Sequence, residues 1–283
     1  MTRQAGNGSS KTHPSGTGFA AVLSTGVALI DLLALALASR VALVTGGSRG
    51  VGRSVALTLA SAGAKVAVNS SGGAAATEFV NEITAAGGEA IVVDADLSQP
   101  DRGAEVVERT VQAFGRLDIL INNAGLLKAN VAGNADLDAW DAQFAVNTRG
   151  AFVVTEAAIP YLLQTRGSIV FVSSTAAQRG SKGHSAYAAS KGALHSYMKS
   201  LAAELGPFGI RVNCVAPGWV DTEMVNASLS DPATRQRIER SIPLGRVATA
   251  EDIAGPILFL VSDLARHIHG EVLNVNGGSV LAG

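Results

Sequence analysis

Cysteine is nearly absent: the 283-residue chain has one, Cys214, so no disulfide can form within it. A fold without that staple stands on its hydrophobic core, and this length is ample for one. Cys214 lies in the apolar run 210–216 and reads as a small buried hydrophobe rather than a nucleophile. The lack of disulfides fits reducing cytosol. Net charge is missing too. Lys and Arg total 22 against 23 Asp and Glu, a balance of -1 that removes the electrostatic reason to expect nucleic acid. No cluster of Cys and His has metal-ligand spacing, so no metal site is expected. There is no internal repeat, and no shift of composition after Ser39 marks a second domain.

What is present is organised around one stretch. The apolar, β-branched run 41–44 stops at Thr45, Gly46, Gly47, Ser48, Arg49 and Gly50, and an amphipathic pattern runs on from Val51 and Gly52 to Ala62. That is strand, tight turn, helix. Glycines let the turn bend sharply and let the backbone approach a ligand closely. Free N–H groups and the helix dipole then favour a pyrophosphate at the helix start. Many turns hold glycines; the flanking strand and helix are the context that makes this one a nucleotide site.

Further strands are predicted at 65–69, 90–93, 117–121, 169–172, 210–215 and 272–275. Helices are predicted at 74–86, 101–114, 137–163 with a break near Pro160, 185–205 and 250–262. Residues 221–241 read as a loop with short helices. Strands alternating with helices give an α/β fold: one doubly wound, Rossmann-like domain over 37–283, with about seven parallel strands and helices on both faces. Residues 1–18, rich in Gly, Ser and Thr, are expected to be disordered. Residues 19–38 are almost wholly apolar, long enough to span a bilayer, and end in a signal-peptidase-like Ala36-Leu37-Ala38. Asp31 inside that run would cost about 2.5–3.5 kcal/mol near a bilayer centre. Export would also remove a nucleotide enzyme from its cytosolic cofactor. Residues 1–36 are therefore expected to be a dispensable or protein-packed extension of a cytoplasmic, not membrane-bound, protein.

Several motifs resemble the short-chain dehydrogenase/reductase family over residues 37–281. They are the glycine turn Thr45 to Gly52, Asn122-Asn123-Ala124-Gly125, Asn147, Ser174, Tyr187-Ala188-Ala189-Ser190-Lys191, and Pro217-Gly218-Trp219-Val220-Asp221-Thr222. The resemblance implies a catalytic set of Asn147, Ser174, Tyr187 and Lys191. It implies that Lys191 also holds the nicotinamide ribose and that Asn147 keeps a water in a relay reaching Lys191. Mid-helix backbone satisfaction is the structural alternative for Asn147. It further implies cofactor contacts from Gly46, Ser48, Arg49, Gly50, Val51 and Gly52, from Asn123, Ala124 and Gly125 beside the ribose, from Asp96 and Leu97 at the adenine, and from Tyr187, Pro217, Gly218, Val220 and Thr222. Asp94 is the structural alternative to Asp96. A homotetramer or homodimer is implied as well.

The residues themselves carry the same chemistry. Tyr187 and Lys191 are four apart on a predicted helix and share a face. A phenol has an ordinary pKa of about 10, and a neighbouring ammonium is expected to lower it. Such a tyrosine exchanges a proton with a substrate oxygen near neutral pH, and Ser174, ending a strand, can hydrogen-bond that oxygen. Tyr-x3-Lys alone is a common exposed pair; Ser174 and the upstream glycine turn give it a chemical reading. In these folds an acid about 20 residues past the glycines accepts the ribose hydroxyls of NAD. Here the second strand ends in Asn69, Ser70 and Ser71, which can donate to a phosphate, and Arg49 can pair with it. The expectation is NADP(H) rather than NAD(H), and reduction of a small carbonyl substrate of the ketone or 3-oxoacyl type, or the reverse alcohol oxidation. An NAD-dependent sugar or secondary-alcohol dehydrogenase is the rival enzyme. A catalytically silent nucleotide-binding scaffold is the rival from another class, and the intact catalytic set argues against it. Leu126 and Leu127, with Trp219, Met224 and Val225, line a substrate pocket or merely cover the core. His184 reads as a solvated loop histidine. Arg179 and Lys182, two charges in a Gly/Ser loop, suit an acidic carrier or a phosphate.

Overall fold

The structure, a computed structural model, describes residues 1–2, 37–134 and 136–281. The disorder expected at 1–18 and the apolar run 19–38 lie almost wholly outside the described residues. Among those residues, no helix is long and apolar enough to cross a membrane.

Seven apolar runs become the strands β1 (Val41–Val44), β2 (Lys65–Ser70), β3 (Ala90–Asp94), β4 (Ile119–Asn122), β5 (Ser168–Val172), β6 (Arg211–Pro217) and β7 (Val272–Val275). All pair in parallel in the order β3-β2-β1-β4-β5-β6-β7. A parallel sheet is covered on both faces, which is why its inner strands read as unbroken apolar runs. Side chains alternate between the faces. Ala42 and Val44 join a core with Val55, Leu59, Phe79, Ile83, Ile257 and Leu260. Val41 and Leu43 join the opposite core with Val106, Val154, Leu162, Phe171, Leu194 and Met198. Helices α1 (Gly50–Ser61), α2 (Ala74–Ala85) and a later helix, Ala250–Val261, cover the first face. The second lies under α3 (Arg102–Phe114), the stretch from Leu137 to Thr165, and Ser185–Leu205. Leu37 is fully buried in the first core, and Arg40 pairs with Asp263 at 2.8 Å.

Three boundaries differ from expectation. The helix predicted over 137–163 is interrupted not at Pro160 but by a π turn, Ala145–Gly150, between α4 (Leu137–Phe144) and α5 (Ala151–Thr165). Pro160 sits on the exposed side of α5, where water can serve the Glu156 carbonyl that its missing N–H leaves free. The π turn instead places buried Asn147 against a distant loop. The fourth strand starts at Ile119 rather than 117, because the Asp118 carboxylate is held at the strand entrance by the Val41 N–H (2.9 Å) and Arg116 (2.6 Å). A one-turn helix, α6 (Ala176–Arg179), follows β5 before α7 (Ser185–Leu205).

The chain crosses over between β1 and β4: β2 and β3 lie to one side of β1, the later strands to the other. At such a reversal the loops after neighbouring strands part, and a crevice opens outside the carboxyl ends.

Candidate active site

That crevice is a cleft of about 630 Å³, a volume typical of small-molecule sites. Gly46, Arg49, Gly50, Val51 and Gly52 form its floor at the start of α1. A side chain on Gly52 would put its Cβ 2.2 Å from the Gly46 carbonyl and 2.4 Å from Asn123 Nδ2, so only glycine closes this turn. Asn123 Nδ2 donates to the Thr45 and Gly46 carbonyls at 2.9 and 3.0 Å, and Thr45 Oγ1 accepts from the N–H groups of Asn123 and Ala124. Asn123 therefore braces the turn across the β1/β4 gap. Arg49, the residue preceding α1, makes no side-chain cap, and no acid lies in the first turn. The uncapped N–H groups and the glycine cradle fit a pyrophosphate.

At one end of the cleft stand Ser71, Ala95, Asp96 and Leu97. Asp96 lines it, with its carboxylate accepting from the Ser98 N–H at 2.9 Å, whereas Asp94 does not. Asn69 also borders the cleft, but its side chain is engaged elsewhere. Its Oδ1 accepts from the Gly46 N–H (3.3 Å) and its Nδ2 donates to the carbonyls of Val93 (3.0 Å) and Ala95 (3.2 Å). The expectation that Asn69 donates to a phosphate is corrected: the amide ties the glycine turn to the end of β3. Ser70 is buried away from the cleft and exchanges hydrogen bonds with Gly72. Ser48 faces a neighbouring cavity of about 300 Å³ rather than the cleft. Arg49 borders both, three-quarters exposed, with its guanidinium 3.8 Å from the Glu223 carboxylate.

At the other end Ser174, Tyr187 and Lys191 converge. Ser174 follows β5, and its Oγ accepts from the Ala176 N–H at 3.1 Å, setting the start of α6. The Ser174 hydroxyl lies on the same side of the cleft as the Tyr187 phenol and draws its pKa down. One turn further along α7, Lys191 is almost fully buried and its Nζ donates to the Val172 carbonyl at 2.8 Å. Ser173 Oγ donates to the Lys191 carbonyl at 3.1 Å, fixing this turn of α7 against β5. A Cβ on Gly125 would come within 3.2 Å of that Nζ, so the glycine leaves the ammonium its place. Burial pulls the Lys191 ammonium down to about 8, against a smaller opposing pull from the Cys214 sulfur. Burial likewise holds the buried Cys214 thiol up at about 12. The expected lowering of Tyr187 by its lysine is corrected: burial raises the phenol, and the Ser174 hydroxyl pulls it back only in part.

Asn147 does not line the cleft. It is fully buried in the π turn, where its Nδ2 donates to the Leu126 carbonyl and Ser190 Oγ, both at 2.9 Å, and its Oδ1 accepts from the Leu126 N–H at 2.6 Å. It clamps the loop after β4 to α7, a layer behind Lys191.

A family model described as Enoyl-(Acyl carrier protein) reductase matches residues 46–279. A 3-oxoacyl-[acyl-carrier-protein] reductase from Synechocystis is 39% identical over 87% of this chain and 99% of its own. The chain belongs to the short-chain dehydrogenase/reductase family. Another relative of this dehydrogenase/reductase is an L-rhamnose 1-dehydrogenase (NAD(P)(+)) from Azotobacter vinelandii, 39% identical over 86% of this chain and 97% of its own. Among solved structures, a proposed NAD(P)-dependent gluconate 5-dehydrogenase from Beutenbergia cavernae, with NADP bound at low occupancy, is 38% identical with a TM-score of 0.81, covering 86% of this chain and 98% of that one. The relatives share the family and differ in substrate.

Of the remaining expected residues, Ala124, Gly125, Pro217, Gly218, Val220 and Thr222 line the cleft. So do Leu126, Leu127, Trp219, Met224 and Val225, and the two alternatives for these prove compatible: Trp219 and Val225 also pack on the small core of Leu229, Ile238, Ile242 and Val247. His184 and Arg179 line the cleft and Lys182 does not. Among the lining residues that sequence reasoning missed are Val146, Ala176, Ser181 and Glu223. Val146 and Glu223 adjoin predicted site residues, which was the available signal; Ala176 and Ser181 depend on the unforeseen turn of α6.

Proposed function

We propose that this family member is an NADPH-dependent reductase of small carbonyl compounds, of the ketone or 3-oxoacyl type. The observation that carries the reading is the convergence of Ser174, Tyr187 and Lys191 at one end of a cleft whose floor is the glycine turn. When bound, a nicotinamide cofactor supplies the hydride. The chain supplies the rest. Ser174 and Tyr187 hydrogen-bond the substrate oxygen, and the phenol gives it a proton as charge builds there. A raised Tyr187 keeps that proton in place across the neutral range. Lys191, held by Val172, is poised to meet a ribose hydroxyl and to favour the phenolate as it forms. Asn147 positions Leu126 and α7 around this end.

The NADPH preference rests on the missing acid at the end of β2 and on Arg49 and Ser71 beside the adenosine end. An NAD-using sugar or alcohol dehydrogenase is the second reading, favoured by the sharing of Arg49 with Glu223. Phe152, half exposed on α5, lies 5.4 Å from the ring of Tyr197 on α7. This apolar face supports a homodimer or homotetramer, read out by light scattering. The test of function is loss of NADPH absorbance with a panel of ketones and 3-oxoacyl thioesters. Turnover with NADPH above NADH is the expected result, and cofactor binding without turnover of any compound would refute it.

A further inference from the structure

No Asp or Glu occurs between Glu156 and Glu204, the stretch that supplies Ser174, α6, Tyr187 and Lys191. The facing loop after β4 has none before Asp136, and the chain leading through β6 has none before Asp221. Among the described residues the cleft is therefore lined by only two acids, Asp96 and Glu223. Both stand away from the substrate end: Asp96 follows β3, and Glu223 faces Arg49 at the glycine turn. The lining also includes Arg179 and His184, both on the segment between Ser174 and Tyr187, with Arg179 exposed. Arg179 closes α6, one turn of about 5 Å along the axis from the residues following Ser174. Its guanidinium forms an ion pair with no carboxylate among the described residues; its Nη1 meets only the Ser279 carbonyl, at a long 3.5 Å. His184 is turned back by a contact of Nδ1 with the Lys182 carbonyl at 3.1 Å, and the buried Lys191 ammonium is held by the Val172 carbonyl, which leaves Arg179 as the exposed cation that this segment brings to the cleft. A cleft walled by low-dielectric protein with one sign of charge at its end concentrates the opposite sign there.

We propose that the carbonyl compound reduced in this cleft is an oxo acid, whose carboxylate is received by Arg179. The inference rests on the reductase reading above and names its substrate class. The planar guanidinium takes a carboxylate in a two-pronged bond. That contact forms in the ground state and the transition state alike, so it lowers KM rather than raising kcat.

The experiment compares 3-oxobutanoate, 4-oxopentanoate and 5-oxohexanoate with their methyl esters, using NADPH, on the wild-type protein and on Arg179→Gln and Arg179→Lys. For at least one chain length kcat/KM for the acid should exceed that for the ester by about tenfold or more, the size of a charge-assisted bond. In Arg179→Gln the ratio should fall towards one, mainly through KM, and Arg179→Lys should keep part of it. Added salt should raise KM for the acid and not for the ester. Esters reduced as well as their acids at every length would overturn the oxo-acid proposal and leave the reductase reading standing. So would a preference for the acid that survives in Arg179→Gln. Absence of turnover with acids and esters alike would overturn both.

Discussion

Replacing Lys191 with methionine should stabilise the protein at neutral pH while destroying its activity. The Lys191 ammonium is buried, and burial lowers it from 10.5 to about 8. Each unit is worth about 1.36 kcal/mol, so holding the charge in the folded state costs about 3 kcal/mol. The sign follows from proton counting. Between about pH 8 and 10.5 the unfolded chain holds a proton that the folded chain has released, so this group makes stability rise with pH over that window. Below about 8 both states carry the proton and the full penalty is present. The Lys191→Met substitution removes that penalty but leaves the Val172 carbonyl without its donor, a loss of about 1–3 kcal/mol. The net gain at neutral pH is on the order of 1 kcal/mol, or about 2–4 °C in melting temperature for a domain of this size. At pH 10.5 only the lost hydrogen bond remains and the variant should be the less stable protein. Denaturant melts of both proteins across this pH range measure the difference directly, and it should change by about 3 kcal/mol whatever the carbonyl costs. Parallel pH profiles would refute the reasoning, because they would mean that the buried lysine is not charged at a cost. Such a residue, kept against its own stability, is the expected mark of function.

Removing only the Tyr187 hydroxyl, as in Tyr187→Phe, should cut turnover by about 10²–10⁴-fold with the melting temperature little changed; near wild-type turnover would exclude Tyr187 as proton donor. Arg49→Ala should lower kcat/KM for NADPH much more than for NADH, measured with one fixed carbonyl substrate. An equal loss for both would mean that Arg49 does not read a 2′-phosphate. Removing residues 1–36 should leave a soluble protein that binds cofactor, because Leu37 is already part of the core and the glycine turn is complete beyond it. Isothermal titration with NADPH decides this, and lost binding would show that the preceding residues pack on the fold.

The fold was legible because its signals are local. Alternating faces in β1, the glycine turn and the four-residue spacing of Tyr187 and Lys191 each depend on neighbours a few positions apart, where backbone geometry alone sets direction. The absence of an acid after β2 was equally plain. The partners of polar side chains were not legible, because they are set by which distant carbonyls the packed strands bring near. Asn69 reads as a phosphate donor in sequence, yet parallel pairing with β3 surrounds its amide with the Val93 and Ala95 carbonyls. Lys191 reads as a charge beside Tyr187, yet β5 offers it the Val172 carbonyl at the buried end of the cleft, where burial turns both groups against their charged forms. Asn147 reads as one polar residue in a helix, and only the π turn and the loop after β4 make it a clamp. Arg179 and Lys182 look alike in sequence. The turn of α6 sets one of them in the cleft and leaves the other outside, because the direction of a side chain on a short irregular segment is decided by the packing around it.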